Sequence, residues 1–410
     1  MVTGFCGETP EYGLVFASFS NIFSWTRHIA ILSPWNLKMT LSPGSNSAES
    51  YISHGKTLKE SGRLDEAVDS YLQALSIKPD DAEAYGDLGT VFKEQGKLDK
   101  AIASYRQALV LKPDYAKAYI NLGVVFQEGG LLEDAAVHYR QALAIQSDYV
   151  AAHFNLGALH MSLGQTEDAL RSFRRAVTLK PDLTPATHMI AVLEGKTTQS
   201  APHDYVKNLF NHYAVNFENH LLHTLEYTIP QVIFEKFTAL IARDGRQVSH
   251  VLDLGCGTGL NGEQFRNIAA RLSGVDLSVK MLEIALNKNI YHDLHQADIG
   301  TFLNESIEFY DLFLASDVFV YVGDLAAVFE GVKKRSLPGA CFAFSTEWIA
   351  GEEFILQKSA RYAHSRAYVN SLCKRFGFRI VLCEAVKLRK DQDAWVRGDI
   401  FIVQRGANWH

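Results

Sequence analysis

Between residues 48 and 181, small and apolar residues return every 34 positions. Gly55, Gly89, Gly123 and Gly157 share one register, and Ala67, Ala101, Ala135 and Ala169 share the next. Ala74, Ala108, Ala142 and Ala176 follow, with Tyr71, Tyr105, Tyr139 and Phe173 between them. Pro79, Pro113 and Pro181 end three of the units, while Ser147 stands in the remaining one. Small residues let paired helices approach, large ones fill the space between pairs, and proline stops a second helix. The pattern predicts an all-α solenoid of four helical hairpins, with Thr184–Glu194 as a capping helix that starts a fifth. The polar stretch from Gly195 to Pro202 reads as a linker. These signals divide the chain into an extension (1–47), a repeat domain with its cap (48–196) and a second domain (197–410).

The period changes in the second domain. Strand signals run through Val251–Leu254, Leu272–Asp276, Leu294–Ala297, Asp311–Ser316, Ala340–Ser345, Arg379–Leu388 and Ile400–Gln404. Helical patterns separate the first five, so those strands are expected to be parallel and joined by crossovers; the last two lie close enough to pair antiparallel. Ligands of such α/β sheets bind beyond the carboxyl ends of the strands. Gly255, Asp276, Asp298, Ser316 and Asp317 all fall there.

The first strand runs into Gly255, Gly257 and Gly259, a turn that lets a ligand approach the backbone and its free N–H groups. Gly257, Gly259 and Gly262 also spell the G-x-G-x-x-G of a dinucleotide site. Three features favour S-adenosylmethionine (SAM) over NAD. Asp253 precedes the glycines inside the strand, Asp276 is followed by Leu277, Ser278, Met281 and Leu282, and a third strand ends in Ala297-Asp298-Ile299. In this order the motifs resemble the class I SAM-dependent methyltransferases, over roughly residues 205–405. The 34-residue units resemble the tetratricopeptide repeat (TPR) in all four copies. The run Tyr213-Ala-x-x-Phe217-x-x-His220-Leu221, continuing to Tyr227 and Pro230, resembles a group of predicted methyltransferases that also carry TPR units.

The resemblance implies a Rossmann-like domain with a seven-stranded, mostly parallel sheet. By the same resemblance, Asp253 and the turn Gly255, Cys256, Gly257 and Gly259 would hold the methionine end of SAM. Asp276 would hold the ribose, Leu277 and Met281 would flank adenine, and Asp298 with the Ile299 N–H would read its edge. Ser316 borders the same crevice, and Tyr213 can close over the sulfonium, whose charge an aromatic face favours.

Methyl transfer is an in-line displacement, so alignment and exclusion of water are its main demands, and a base is needed only for a protonated acceptor. Candidates follow the fourth and fifth strands: Asp317, Glu347 and His364 for catalysis, Tyr321, Arg361 and Tyr362 for the acceptor. His364 is the expected base because its ordinary pKa suits the task. Arg361 is expected to hold an acidic group, and Tyr362 to roof the pocket. In the repeats, Asn121 and Asn155 stand where a side-chain amide can pair with the backbone of a bound peptide.

Apolar residues make up 47% and charged ones 21% of 410 positions, enough for a core in each domain. The net charge of −6, without a Lys/Arg block, disfavours nucleic acid as a partner. Cys6, Cys256, Cys341, Cys373 and Cys383 form no C-x-x-C pair, which points to a reducing cytoplasm without disulfides or a metal site. No stretch has the length of a membrane span. Residues 1–38 are expected to be non-structural, with an ordinary start at Met39. The sequence therefore predicts an enzyme of the EC 2.1.1 type whose repeats recruit a protein or peptide partner. Two alternatives stand beside it: a small-molecule methyltransferase whose repeats only localise or oligomerise it, and a non-catalytic SAM-binding scaffold.

Overall fold

The computed structural model describes residues 47–406, apart from 246, 352 and 392–393, so the expectation for residues 1–38 lies outside the described residues. The chain divides into two compact units at Pro181/Asp182.

The first unit contains the expected hairpins: α1 (Ala48–Glu60) with α2 (Leu64–Ile77), α3 (Ala82–Glu94) with α4 (Leu98–Leu111), α5 (Ala116–Glu128) with α6 (Leu132–Ile145), and α7 (Val150–Ser162) with α8 (Thr166–Leu179). Tyr71, Tyr105, Tyr139 and Phe173 are wholly buried, each over the glycine of its partner helix. At Gly123 a Cβ would lie 2.5 Å from the Tyr139 ring, so only glycine lets α5 and α6 close. Burying each such ring stabilises the pair by roughly 1.5–3 kcal/mol. The Tyr139 hydroxyl keeps a partner inside, donating to Gln127 Oε1 at 2.8 Å.

The second unit opens with α9 (Thr184–Glu194), the helix expected to cap the repeats, so the boundary precedes this helix. Then come α10 (His203–Tyr213), a short turn α11 (Phe217–Asn219) and α12 (Ile229–Asp244). The α/β part follows: β1 (Val248–Leu254), α13 (Leu260–Phe265), β2 (Ala269–Asp276), α14 (Val279–Asn287), β3 (Asp293–Gln296), α15 (Ile299–Glu305) and β4 (Tyr310–Ala315). It continues with α16 (Ala326–Arg335), β5 (Ser336–Trp348), β6 (Phe354–Leu356), β7 (Tyr362–His364), α17 (Arg366–Phe376), β8 (Phe378–Asp391) and β9 (Ala394–Arg405).

All seven expected strands are present, in the order β3-β2-β1-β4-β5-β9-β8, parallel as far as β5 and antiparallel after it. The sheet has two further strands. Beyond the end of β4, Glu347 and Trp348 of β5 pair in parallel with Ala363 and His364 of β7, and β6 pairs antiparallel with β7. These additions lie at the carboxyl edge of the sheet. Apolar clusters fill both faces, one around Phe313, Phe329, Phe342 and Phe344, the other around Val251, Ile233, Phe237 and Phe265. Among the described residues no helix is long and apolar enough to cross a membrane.

Candidate functional site

The turn after β1 is left-handed at all three glycines, with φ of +67° at Gly255, +53° at Gly257 and +97° at Gly259. A Cβ on Gly255 would lie 2.6 Å from Val318, whereas no atom lies within 4 Å of one built on Gly257. The N–H groups of Gly255 and Cys256 both donate to the Val275 carbonyl, which ties the turn to β2. The Cys256 side chain is buried against Gly274 and burial pushes its thiol pKa up, so Cys256 fills the bend and presents only backbone. Asp276, at the end of β2, accepts the Gly257 N–H at 2.9 Å on one oxygen and the Ser278 N–H at 2.8 Å on the other. Burial raises its pKa against these bonds. Each oxygen keeps acceptor capacity for a ligand hydroxyl.

Asp253 does something different. It is wholly buried, with one oxygen accepting from Asn261 Nδ2 at 2.8 Å and the other from the Tyr291 hydroxyl at 2.6 Å. Burial pushes its pKa up to about 6. A direct contact with an ammonium group, as expected from the sequence, is replaced by a clamp under the turn. Asn261 in turn accepts from the Ser316 hydroxyl at 2.7 Å, so Ser316 joins β4 to the same network. Leu277 is half-buried, but Met281 is 1% exposed and packs inward, which leaves it no free face for a ring. Asp298 caps α15 through the Thr301 N–H at 2.9 Å, its other oxygen lying 3.2 Å from His203. Ile299 opens that helix, so its N–H has no intrahelical acceptor. Helix α10 lies over the start of α14, where Ser278 donates to Asn211 at 2.7 Å. Tyr213 is half-buried at the end of α10.

On the other side of the turn, Asp317 follows β4 with φ +58°, its N–H donating to Ser345 Oγ at 2.9 Å. Arg389 of β8, 1% exposed, donates to Asp317 and to Glu347, and Gln357 Nε2 donates to Glu347 at 2.6 Å. Burial raises the Asp317 pKa, opposed by Arg389 and Arg361. Tyr321 is half-buried against Phe210, its pKa raised by burial and lowered by the neighbouring Arg361 guanidinium. Arg361 itself is half-buried and ends a tight turn in which its carbonyl accepts the Gln357 N–H at 2.8 Å.

Residues 55–96, 89–130 and 128–164 match the family described as TPR repeat, residues 150–183 that described as tetratricopeptide repeat, and residues 251–339 that described as methyltransferase domain. The chain joins TPR repeats to a methyltransferase domain. It is similar to the malonyl-[acyl-carrier protein] O-methyltransferase of Salmonella typhimurium, 30% identical over 127 residues, which are 31% of this chain and 50% of that protein. It is also similar to the ubiquinone biosynthesis O-methyltransferase of Bordetella bronchiseptica, 29% identical over 128 residues, 28% of this chain and 53% of that one. The chain thus spans about half the length of these curated relatives. A solved structure, the magnesium protoporphyrin IX methyltransferase of Synechocystis PCC 6803 with bound SAH, is 16% identical, with 50% of this chain and 99% of that one covered and a TM-score of 0.39.

Within the methyltransferase domain, two expected acceptor-side residues are placed elsewhere. His364 is 1% exposed on β7, its Nε2 donates to the Gly323 carbonyl at 2.8 Å, and Nδ1 has no partner. Burial pushes its pKa down to about 4. The ring packs between Phe354 and Tyr368 and is a buried prop for the Gly323 turn, not an accessible base. Tyr362 is wholly buried, and its hydroxyl lies 2.5 Å from Thr198 Oγ1, so it braces a neighbouring segment and offers no roof surface. In the TPR repeats Asn121 is half-buried, and Asn155 is buried with neither amide atom partnered. Sequence reasoning missed Arg389, Asn261 and Tyr291, which organise the buried carboxylates.

Proposed function

We propose that the chain transfers a methyl group from SAM to an acceptor, and that its repeats recruit that acceptor, a carrier or a partner protein. The observation that carries this reading is Asp276, held by the N–H groups of Gly257 and Ser278 beside open space over the glycine turn. Residues around the turn fit a nucleoside with an amino-acid tail. Thr258 Oγ1 is buried there without a hydrogen-bond partner, and the buried Tyr227 hydroxyl lies beside Ser316. Asp276 would hold the ribose and Leu277 the ring, with Asp298 and Ile299 at its edge and Tyr213 presenting an aromatic face to positive charge. When bound, SAM supplies an electrophilic methyl on a sulfonium.

On the acceptor side, Arg361 and Tyr321 would hold an acidic group. Arg389 takes only one oxygen of Asp317, leaving the other to receive a proton from a protonated acceptor, while Glu347 fixes Arg389. The O-methyltransferase names of the relatives support an oxygen acceptor. Asn121, half-buried, would bind a peptide backbone, whereas Asn155 is enclosed within the repeats. The scattered cysteines support a cytoplasmic setting.

Calorimetry with S-adenosylhomocysteine (SAH) on the full chain and on Asp276→Ala tests the reading. Losing charge-assisted bonds to a ribose should weaken binding roughly tenfold or more. Equal affinities, or binding of NADH in preference to SAM, would overturn it.

A further inference from the structure

Residues 197–201, which read in sequence as a free linker, are bonded along their length to two loops of the methyltransferase unit. Thr197 Oγ1 accepts the Leu356 N–H at 3.2 Å. Thr198 Oγ1 pairs with the Tyr362 hydroxyl. The Gln199 carbonyl accepts two N–H groups, from Gly323 at 2.9 Å and Asp324 at 2.8 Å. Ser200 forms a bridge with Val322, and the Ala201 N–H donates to the Tyr321 carbonyl at 2.9 Å. Just upstream, the buried His188 of α9 lies against Tyr205 and Tyr362 and bonds the backbone of Ala360.

These bonds converge on two short stretches, Tyr321–Asp324 and Leu356–Tyr362. The first carries Tyr321 and the second carries Arg361, the two residues assigned to the acceptor. Gly323 is held from both directions, its N–H by Gln199 and its carbonyl by His364. A Cβ at Gly323 would meet Phe354 and Tyr362 at 2.7 Å, so the two loops also touch each other there. A true linker leaves its backbone polar groups to water. Here the Gln199 carbonyl and the Ala201 N–H go to the first stretch, Ser200 bridges Val322 between them, and Thr197 and Thr198 add their hydroxyls.

We infer that residues 197–201 form a strap whose function is to position the acceptor site. Resting on the methyltransferase reading, this gives the strap's residues a positioning role: they act through Tyr321 and Arg361 and touch neither cofactor nor acceptor. Loops that bind ligands are ordinarily the least stable parts of a fold, and catalysis loses steeply when a contact group drifts. The strap converts both loops into extensions of the sheet edge formed by β6 and β7.

The test is hydrogen exchange, read by mass spectrometry on the full chain, together with SAH calorimetry. Thr198→Val removes the hydroxyl pairing while keeping the side chain's shape. Exchange at Gly323 and Asp324 should rise roughly fivefold, the effect of one net hydrogen bond. Peptides spanning 251–262 should be unchanged, and SAH affinity should stay within about twofold. Tyr362→Phe should give the same increase, the double variant no more than either alone, and Thr198→Ser should restore protection. Unchanged exchange at 321–324, or a rise spread across the whole unit with no rescue by serine, would overturn the strap. Absence of SAH binding to the unaltered chain would instead overturn the methyltransferase reading, leaving the exchange result legible.

Discussion

A carboxylate at the end of a strand can clamp, bind or cap, and what reaches its oxygens decides which. Asp253 is closed off by Asn261 and Tyr291, Asp298 caps α15, and Asp276 alone combines two backbone donors with a partly open face. The histidines divide in a similar way. His188 and His364 are buried, and burial pushes each imidazole down to about 4. An imidazole kept neutral in the fold but ready to take a proton near pH 6.5 when unfolded lends stability above that value. The contribution is lost as pH falls toward 4. Asp253, shifted up to about 6, has the opposite sense: its contribution is present below the ordinary carboxylate range and lost as pH rises through 6. His364→Gln can still donate to the Gly323 carbonyl but carries no titrating ring. Between pH 7 and 4.5 its melting temperature should therefore fall less than that of the unaltered chain. Parallel melting curves would mean that the ring is already protonated inside the fold.

Helix pairs and strands set their own tolerances. At Gly123→Ala the new methyl meets the Tyr139 ring, and α5 and α6 must separate, at a cost of about 1–3 kcal/mol. Urea unfolding followed by circular dichroism reads this directly. In β8, Arg389→Met leaves the buried Glu347 and the half-buried Asp317 without their guanidinium and should cost about 3–5 kcal/mol; adding Asp317→Asn and Glu347→Gln should recover much of the loss. The same strand shows why parts of the site were hidden in the sequence. The helical hairpins, the seven main strands, the glycine turn and Asp276 were legible because burial imposes a period and left-handed backbone selects glycine. Arg389 sits in the run Lys387-Leu388-Arg389-Lys390, where a charged residue reads as solvent-facing until its two carboxylates, more than 40 positions away, are brought to it. Strands β6 and β7 have three residues each, too few to show an alternation. The strap was missed because most of its bonds run through main-chain groups, which side-chain composition does not report.

The molecule as a whole consists of two units that each enclose their own apolar clusters. Residues 47–181 and 182–410 should therefore fold as separate fragments, the first helical by circular dichroism and the second mixed. A fragment starting at 203 lacks α9 and the strap, and it should melt at a lower temperature than the one starting at 182. Equal melting temperatures would show that α9 and the strap add nothing to the second unit. The repeats carry a different consequence. Helices α1, α3, α5 and α7 begin at Ala48, Ala82, Ala116 and Val150, and their partners at Leu64, Leu98, Leu132 and Thr166, so each hairpin presents the next with the same interface 34 residues on. An in-frame duplication or loss of 34 codons would lengthen or shorten the array by one hairpin and keep every neighbouring contact in kind. An indel of any other size inside a helix would slide glycine off its aromatic partner. The reach of the solenoid can therefore drift between lineages only in whole steps.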